Sequence, residues 1–272
     1  RVFPESAQPM IGRIATAYQI ELIKAFRSKL SYVGPILVVL FVMLTPLLHS
    51  LRGEGENAYR FIAFATSTAL NVLGLFLVLS FCASLISGET GTGSIRLVLT
   101  RPILRHEFVI AKLSIGFTYA IVLSLLVGLT AWAIALSFGS ASGVEYGGEM
   151  LFTSGAMLRA YLIGFALHLA PQFAFVSYAV MISSFMKSNA ASVITSIGIW
   201  LLLDAVKYPL GISKVLFATY VDTPWEIFRA QSDGLTMDWG ESVYWCLGTS
   251  LVAATIFSIA AIVTIHRRNF HG

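Results

Sequence analysis

The 272-residue sequence is 57% hydrophobic and only 12% charged, and its formal net charge at neutral pH is +4. Soluble globular proteins carry about 25% charged residues, so this composition cannot cover a water-exposed surface and excludes a soluble globular protein. The mean hydropathy of +0.80 predicts an integral membrane protein instead.

The first predicted element is an amphipathic helix over residues 11–30. One of its faces is polar and mostly basic: Arg13, Thr16, Lys24 and Arg27. The other face is largely apolar: Ile11, Ile14, Ala15, Tyr18, Leu22, Ala25 and Phe26. This pattern is typical of a helix in the membrane interface, and a solvated helix packed on a partner protein is the alternative. We favour the interface because a membrane span follows directly.

Six apolar runs predict six transmembrane helices along the rest of the chain. They cover about residues 33–51, 61–86, 109–137, 157–185, 190–206 and 242–265. Each is long enough to cross roughly 30 Å of hydrocarbon, the fifth barely so. Because the loops are short, residues 1–272 are predicted to form a single all-α transmembrane domain without a separate soluble catalytic domain.

The basic residues favour an orientation with both termini in the cytoplasm. With the N-terminus inside, six of the 18 Lys and Arg residues fall outside: Arg52, Arg60, Arg159, Lys207, Lys214 and Arg229. The rest fall inside, as the positive-inside rule requires. We therefore expect a multi-pass protein of the cell inner (cytoplasmic) membrane, surrounded by membrane lipid and without a nucleic-acid partner.

Residues 207–241 form the longest predicted outside segment, and they are partly apolar. We expect short helices there that rest on or dip into the outer interface. Aromatic side chains at this level are typical of a membrane-interface belt, which we predict from four residues: Trp225, Trp239, Tyr244 and Trp245.

A basic cytoplasmic loop over residues 87–108 joins the second and third spans. Glycines end the second span and allow a tight turn: Gly88, Gly91 and Gly93. Thr92 or Ser94 can then cap a short helix over residues 95–100, which the Arg101–Pro102 step ends. Three arginines flank this helix: Arg96, Arg101 and Arg105. It is too short to span a bilayer and too charged to bury in lipid, so we expect it to dock on a cytoplasmic partner.

Other functions fit this loop less well. Its glycines resemble a phosphate-binding loop, but no Gly-Lys-Ser/Thr ending follows them and no strand precedes them. His106 and Glu107 match half of a zinc protease motif, but Ile110 stands where the second histidine is needed. Cys82 and Cys246 lie in apolar runs and indicate buried thiols. We therefore predict no metal site and no nucleotide bound by this chain, whereas binding of anionic lipid headgroups is compatible with docking.

The same loop resembles that of the type-2 ABC exporter permease family. The matching residues are Glu89, Gly91, Thr92, Gly93, Arg101, Pro102, Ile103, Arg105 and Lys112. The amphipathic helix at 11–30 is similar to the N-terminal elbow helix of that family, and the ending at 266–270 resembles its aromatic-basic tails. Six spans with both termini inside also fit this family.

The resemblance implies that the chain is the permease subunit of an ATP-driven exporter. Such permeases pair as dimers, with an identical or a sibling permease, and each binds a separate nucleotide-binding ATPase subunit that holds ATP and Mg. The loop at 87–108 would couple closure of the ATPase pair to a switch between inward-open and outward-open states. The chain itself has no Walker motif, so we expect a non-catalytic membrane subunit.

Asn71, His168 and Gln172 are polar side chains within the predicted spans, where each is costly in lipid. His168 and Gln172 lie four residues apart and therefore share a helix face. The three residues are candidates for a substrate path. Hydrogen bonding between helices, at about 0.6 kcal/mol per bond, is the alternative that we favour.

Two other classes of function stay open at this point. A gradient-driven secondary transporter usually shows repeated halves, broken helices and intramembrane acids, none of which is evident in the sequence. An intramembrane enzyme that modifies lipids or peptides needs paired carboxylates, a Ser/His dyad or a metal cluster, and the spans hold almost no acid. A neighbouring gene for an ATPase would favour the exporter over both.

Overall fold

A computed structural model describes residues 10–48, 57–93, 104–138, 141–146, 148–237 and 239–268, and most of them are helical. The helices are α1 (Met10–Arg27), α2 (Lys29–Leu48), α3 (Ala58–Thr68), α4 (Leu75–Gly91), α5 (Arg105–Phe138), α6 (Ser154–Phe185), α7 (Asn189–Val206), α8 (Thr223–Ser232) and α9 (Gly240–Arg267). A π-helical turn over Ala69–Gly74 joins α3 to α4, and a 3₁₀ helix over Phe217–Val221 precedes α8.

Six of the described helical segments are long and apolar enough to cross a bilayer, which confirms the predicted number of spans. They are α2, the segment from α3 to α4, α5, α6, α7 and α9. Helix α5 has 34 residues, or about 51 Å at 1.5 Å per residue, which exceeds the roughly 30 Å of hydrocarbon. It therefore tilts or extends beyond the hydrocarbon, and it begins at Arg105, before the predicted residue 109.

Both ends of the described chain lie at the same end of the helix bundle, here named the charged end. It comprises α1, the C-terminal ends of α4, α6 and α9, and the start of α5. The Arg105 guanidinium donates to the backbone oxygens of Ile265, His266 and Arg268 at 3.2, 2.7 and 3.2 Å. Arg268 in turn donates to the backbone oxygen of Ser184 at 2.7 Å. These bonds satisfy carbonyl groups at helix ends that have no partner within their own helix.

The core of the bundle lies where α6 packs against α9 and α4. Gly116 lets α5 pack closely against α6 and α4, because a Cβ at this position would lie 2.7 Å from Val176 Cγ1 and 3.0 Å from Cys82 Sγ. Cys82 and Cys246 are buried free thiols, as predicted. Helices α2, α7 and α9 turn most of their apolar surface outward, which a lipid bilayer would cover.

A small antiparallel hairpin corrects the all-α prediction. Strand β1 (Gly143–Tyr146) pairs with β2 (Glu149–Thr153) between α5 and α6. Gly143 has a backbone φ of +127°, a value that residues other than glycine rarely adopt. The Asn57 side chain donates to the Gly143 carbonyl at 2.8 Å and so joins the hairpin to the start of α3. The hairpin lies at the end of the bundle opposite the charged end, here named the outer end.

The segment between α7 and α9, here named the outer linker, contains the 3₁₀ helix and α8, so the short helices predicted for 207–241 are present. Pro224 occupies the first turn of α8, where its missing N–H has no helical partner to lose. Trp225 is only 1% exposed, so its predicted place in an interfacial aromatic belt is wrong. Tyr244 and Trp245 on α9 are 80% and 43% exposed, and a belt at their level stays a prediction.

Candidate functional site

Four charged side chains form an ion-pair cluster at the charged end: Glu21, Lys24, Glu89 and Lys112. Lys112 Nζ lies 2.5 Å from Glu21 Oε2 and 2.7 Å from Glu89 Oε1. Lys24 Nζ lies 2.7 Å from Glu21 Oε1 and 2.8 Å from the same Glu89 oxygen. The ion-pair cluster thus contains two acids and two bases, and it joins α1 to α4 and α5.

Burial makes these charges depend on one another. Lys112 is 1% exposed, and an ammonium group at that depth needs carboxylate partners. Lys24 is half-buried, and burial alone would lower its pKa. The carboxylates of Glu21 and Glu89 more than compensate and raise the pKa of Lys24 above its ordinary value. Lys24 therefore stays charged at physiological pH.

A second ion pair joins α1 to α5 beside the cluster. Arg13 Nη2 lies 2.8 Å from Glu107 Oε1, and Arg13 Nε donates to the same oxygen at 3.0 Å. Glu107 is fully buried, and its other oxygen accepts from the Leu104 N–H at 3.0 Å, which satisfies a donor at the start of α5. An acid in the first helical turn also suits the positive end of the helix dipole.

The predicted coupling residues divide between the described and undescribed parts of the loop. Glu89 belongs to the ion-pair cluster, and Arg105 binds the last carbonyls of α9. Three exposed residues end α4 and begin the loop: Gly91, Thr92 and Gly93. A Cβ on Gly91 would lie 3.1 Å from the Lys187 carbonyl, so this end of α4 approaches the turn between α6 and α7. The predicted helix over 95–100, with its flanking residues, lies outside the described residues: Arg96, Arg101 and Pro102.

The sequence analysis did not select Glu21 or Glu107 as site residues. Each carried a signal, because Glu21 is the one acid within residues 11–30 and Glu107 falls at the start of a span. Their partners are remote in sequence: Lys112 is 91 positions from Glu21, and Arg13 is 94 positions from Glu107. A helical pattern predicts the helix face on which such a residue lies, but it does not predict which distant residue contacts it.

His168 and Gln172 on α6 form a buried polar cluster with the outer linker. His168 Nδ1 lies 3.1 Å from Trp225 Nε1 and 3.2 Å from the Val221 carbonyl, and its Nε2 lies 3.1 Å from Gln172 Nε2. An indole N–H can only donate, so Nδ1 accepts from Trp225 and Nε2 carries the ring proton. That proton pairs with Gln172 only when the amide is turned so that its oxygen, in place of its nitrogen, faces the ring. The bond from Trp225 joins the outer linker to α6, and the Val221 carbonyl lies in contact with Nδ1. Among the described residues, no three His, Cys, Asp or Glu side chains are grouped to hold a metal ion.

Asn71 contacts the same stretch of the outer linker. It lies in the π-helical turn, a geometry frequent at functional sites, and its Nδ2 donates to Asp222 Oδ1. His168 contacts Val221 and Trp225, on either side of Asp222. The structure therefore brings Asn71 and His168, which come from two different spans, to residues 221–225, and Gln172 contacts His168 behind them.

Asp222 gives this contact a pH dependence. Burial and the negative charge of Glu226 raise the pKa of Asp222 above the ordinary carboxyl value, despite the hydrogen bond from Asn71. A raised carboxyl pKa means that Asp222 binds its proton more tightly in the folded state than in the unfolded chain. The resulting stabilisation is present below the unfolded-state pKa and is lost as the pH rises through the folded-state pKa.

We expect Asp222→Asn to raise the Tm of the purified protein at about pH 7.5 and to lose this gain towards about pH 3.5. Asparagine stays neutral over this range, and its side-chain oxygen still accepts from Asn71. Thermal unfolding in detergent across the pH range measures the effect. Glu149→Gln, at an exposed acid of the same end, is the control. A gain of equal size at both pH values would contradict the role given to the Asp222 charge.

Comparison with known proteins supplies the family. A family profile described as "ABC-2 family transporter protein" matches residues 17–201, which is more than half of the chain. This stretch runs from the middle of α1 into α7, and it includes Glu89, Lys112 and the loop between them. No curated protein matches the chain. The profile confirms the resemblance that the loop residues indicated, and the chain therefore belongs to the ABC-2 family of transporter proteins.

Proposed function

We propose that the chain is the permease subunit of an ATP-binding-cassette exporter. A separate nucleotide-binding subunit docks on the loop at residues 87–108, hydrolyses ATP with Mg, and switches the spans between inward-open and outward-open states. Two permease chains, identical or siblings, form the transport unit, and the chain itself is not an enzyme. The charged end faces the cytoplasm of the inner membrane, as the distribution of basic residues favours.

The observation that carries this proposal is the position of the ion-pair cluster beside the loop. Helix α4 ends at Gly91 and α5 begins at Arg105, so both ends of the loop lie at the charged end. Glu89 and Lys112 flank the loop and bind each other. Lys112 contacts α1 through Glu21, and Glu89 contacts it through Lys24. A force on the loop would therefore reach three helices at once, because contiguous ion pairs and rigid helices carry such coupling.

Charge reversal at Arg101 tests the docking. We expect the wild-type chain, extracted from its native membrane in mild detergent, to co-purify with a stoichiometric ATPase subunit. Arg101→Glu should reduce the ATPase recovered by about tenfold or more, the effect of roughly 1.4 kcal/mol at an interface. Glu89→Lys is a poorer test, because it also places a third cation beside Lys24 and Lys112 and so disturbs the fold.

Arg159→Glu is the matched control for this experiment. It makes the same chemical change at an exposed arginine near the start of α6, at the outer end. Undiminished ATPase recovery with Arg101→Glu would refute docking through this residue. Absence of any ATPase from the wild-type preparation, under conditions that preserve known complexes, would favour a gradient-driven transporter or an intramembrane enzyme.

A further inference from the structure

Helix α8 lies antiparallel beside the second span and is joined to it at both ends. Three polar contacts connect them: Arg60 with Asp233, Ser67 with Arg229, and Asn71 with Asp222. Residues 60 and 71 of the span, and residues 222 and 233 of the outer linker, are both separated by 11 positions. At 1.5 Å per residue, the contact between Asn71 and Asp222 therefore lies about 16 Å deeper along the span than the ion pair of Arg60.

The Asp222 carboxyl does not cap the helix that it precedes. An aspartate directly before a helix usually accepts a hydrogen bond from an N–H of the first turn, but Asp222 makes no such bond. Pro224 has no N–H to offer, and the Trp225 N–H donates to the Asp222 backbone oxygen at 2.9 Å. The carboxyl is directed instead to Asn71, on a different span.

The Asn71 amide matches a protonated carboxyl better than an ionised one. Its Nδ2 donates to Asp222, whereas its Oδ1 is buried and has no hydrogen-bond donor among the described residues. A buried acceptor without a donor is costly. A carboxylate can only accept, but a carboxylic acid also donates. Protonated Asp222 can therefore supply the donor that Asn71 lacks, and the two side chains then form an acid–amide pair with two hydrogen bonds.

The charges around Asp222 also favour its protonated form. The titratable and charged groups on the elements packed against this segment are Glu226 and Arg229 on α8, Asp204 and Lys207 on α7, His168 on α6, and Glu241 on α9. Lys207 and Asp204 lie 2.6 Å apart and largely offset each other. Glu226 follows Asp222 by four residues and shares its helix face, so burial and this negative charge raise the pKa of Asp222. Part of Asp222 contacts solvent, so its proton exchanges with the solution.

We propose that Asp222 and Asn71 form a proton-dependent contact that closes the second span onto the outer linker. Protonated Asp222 holds the deep end of α8 against the π-helical turn, and loss of the proton as the pH rises weakens this contact. The linker itself stays on α6 and α9, because Trp225 is buried against α6 and Phe217 packs on Phe175 and Phe257. The second span is therefore the element that moves. In the transporter proposed above, an acidic solution at the outer end would hold this end closed.

Electron–electron distance measurements on the spin-labelled full chain test this proposal. Labels at Val72→Cys on the second span and Val215→Cys on the outer linker occupy sites that are 53% and 71% exposed, and the buried native thiols give little background. We expect one short distance at about pH 4.5 and a growing longer-distance population towards about pH 8. A single linked proton limits the change in the population ratio to about tenfold per pH unit. Labels at Val215→Cys and Leu158→Cys on α6 are the control pair, and their distance should not change.

Two substitutions tie any transition to the Asp222 proton. Asp222→Asn supplies both a donor and an acceptor to Asn71 and should keep the short distance at every pH. Glu226→Gln removes the neighbouring negative charge and should move the transition to lower pH, whereas Glu149→Gln, at an exposed acid of the outer end, should leave it unchanged. A constant distance in the wild type, a wild-type transition in Asp222→Asn, or an unshifted transition in Glu226→Gln would each overturn the proposal. The measurement uses neither ATP nor a partner, so its outcome is independent of whether an ATPase co-purifies.

Discussion

Replacement of Lys112 by methionine is expected to lower the free energy of unfolding by about 3–5 kcal/mol, the usual cost of removing one partner from a buried ion pair. The lysine is 1% exposed and contacts the Glu21 and Glu89 carboxylates. Without it, two acids face each other with only the half-exposed Lys24 between them. Methionine has a similar length and is apolar, so the loss reports the missing charge more than a cavity.

Thermal unfolding in detergent measures this effect, with Lys24→Met as the matched control. The Lys24 side chain is 43% exposed, so solvent screens its pairs, and we expect a loss of no more than about 1 kcal/mol. Adding Glu21→Gln to Lys112→Met should recover part of the stability, because it removes one of the two opposed negative charges. If Lys112→Met were no less stable than Lys24→Met, the ion-pair cluster would not hold α1 on the bundle.

The membrane spans were predictable because their signal is local. A run of about 20 apolar residues identifies a span without knowledge of any contact, and six runs gave six spans. The ends were less accurate, because a helix continues past the hydrocarbon wherever its backbone has partners. The second span begins at Ala58 and not at 61, since the Asn57 side chain accepts from the Tyr59 N–H and caps the helix.

The hairpin between α5 and α6 was missed for a related reason. Its strands are four and five residues long, well below the length that a search for spans detects. A hairpin signal was nevertheless present, because short segments with aromatic and branched residues flank a glycine pair at 147–148. The start of the hairpin is joined to α3 by the bond from Asn57 to the Gly143 carbonyl, 86 positions away in the sequence.

The candidate site was only partly predictable, because its partners come from distant segments. The loop pattern selected Arg105, and the family resemblance selected Glu89 and Lys112. Neither indicated that Glu89 would share its carboxylate with Lys24 on α1, 65 positions away. The amphipathic pattern placed Lys24 on the polar face of α1. That position does not distinguish a lysine exposed to solvent from one that pairs with an acid on another helix.

Replacement of Trp225 by alanine is the second change with a large expected effect, a loss of about 3–5 kcal/mol in the free energy of unfolding. The indole is among the largest fully buried side chains and packs on Tyr161 with ring centroids 5.6 Å apart. Truncation leaves a cavity under the outer linker and removes the donor to His168. The sequence analysis placed this residue in an aromatic belt at the membrane interface, where the same change would leave no cavity in the protein.

Two further variants separate the contributions. Trp225→Phe keeps most of the volume and removes the indole N–H, so we expect a loss near the roughly 1 kcal/mol of a single hydrogen bond, plus a small packing change. Trp245→Ala, at the 43% exposed tryptophan of α9, should stay within about 0.5 kcal/mol of wild type. Thermal unfolding of the three variants in one detergent gives the comparison. Equal losses for Trp225→Ala and Trp245→Ala would mean that the outer linker does not rest on α6 through its tryptophan. A loss near 1 kcal/mol for Trp225→Phe would support a role for the hydrogen bond from the indole to His168 in holding this linker.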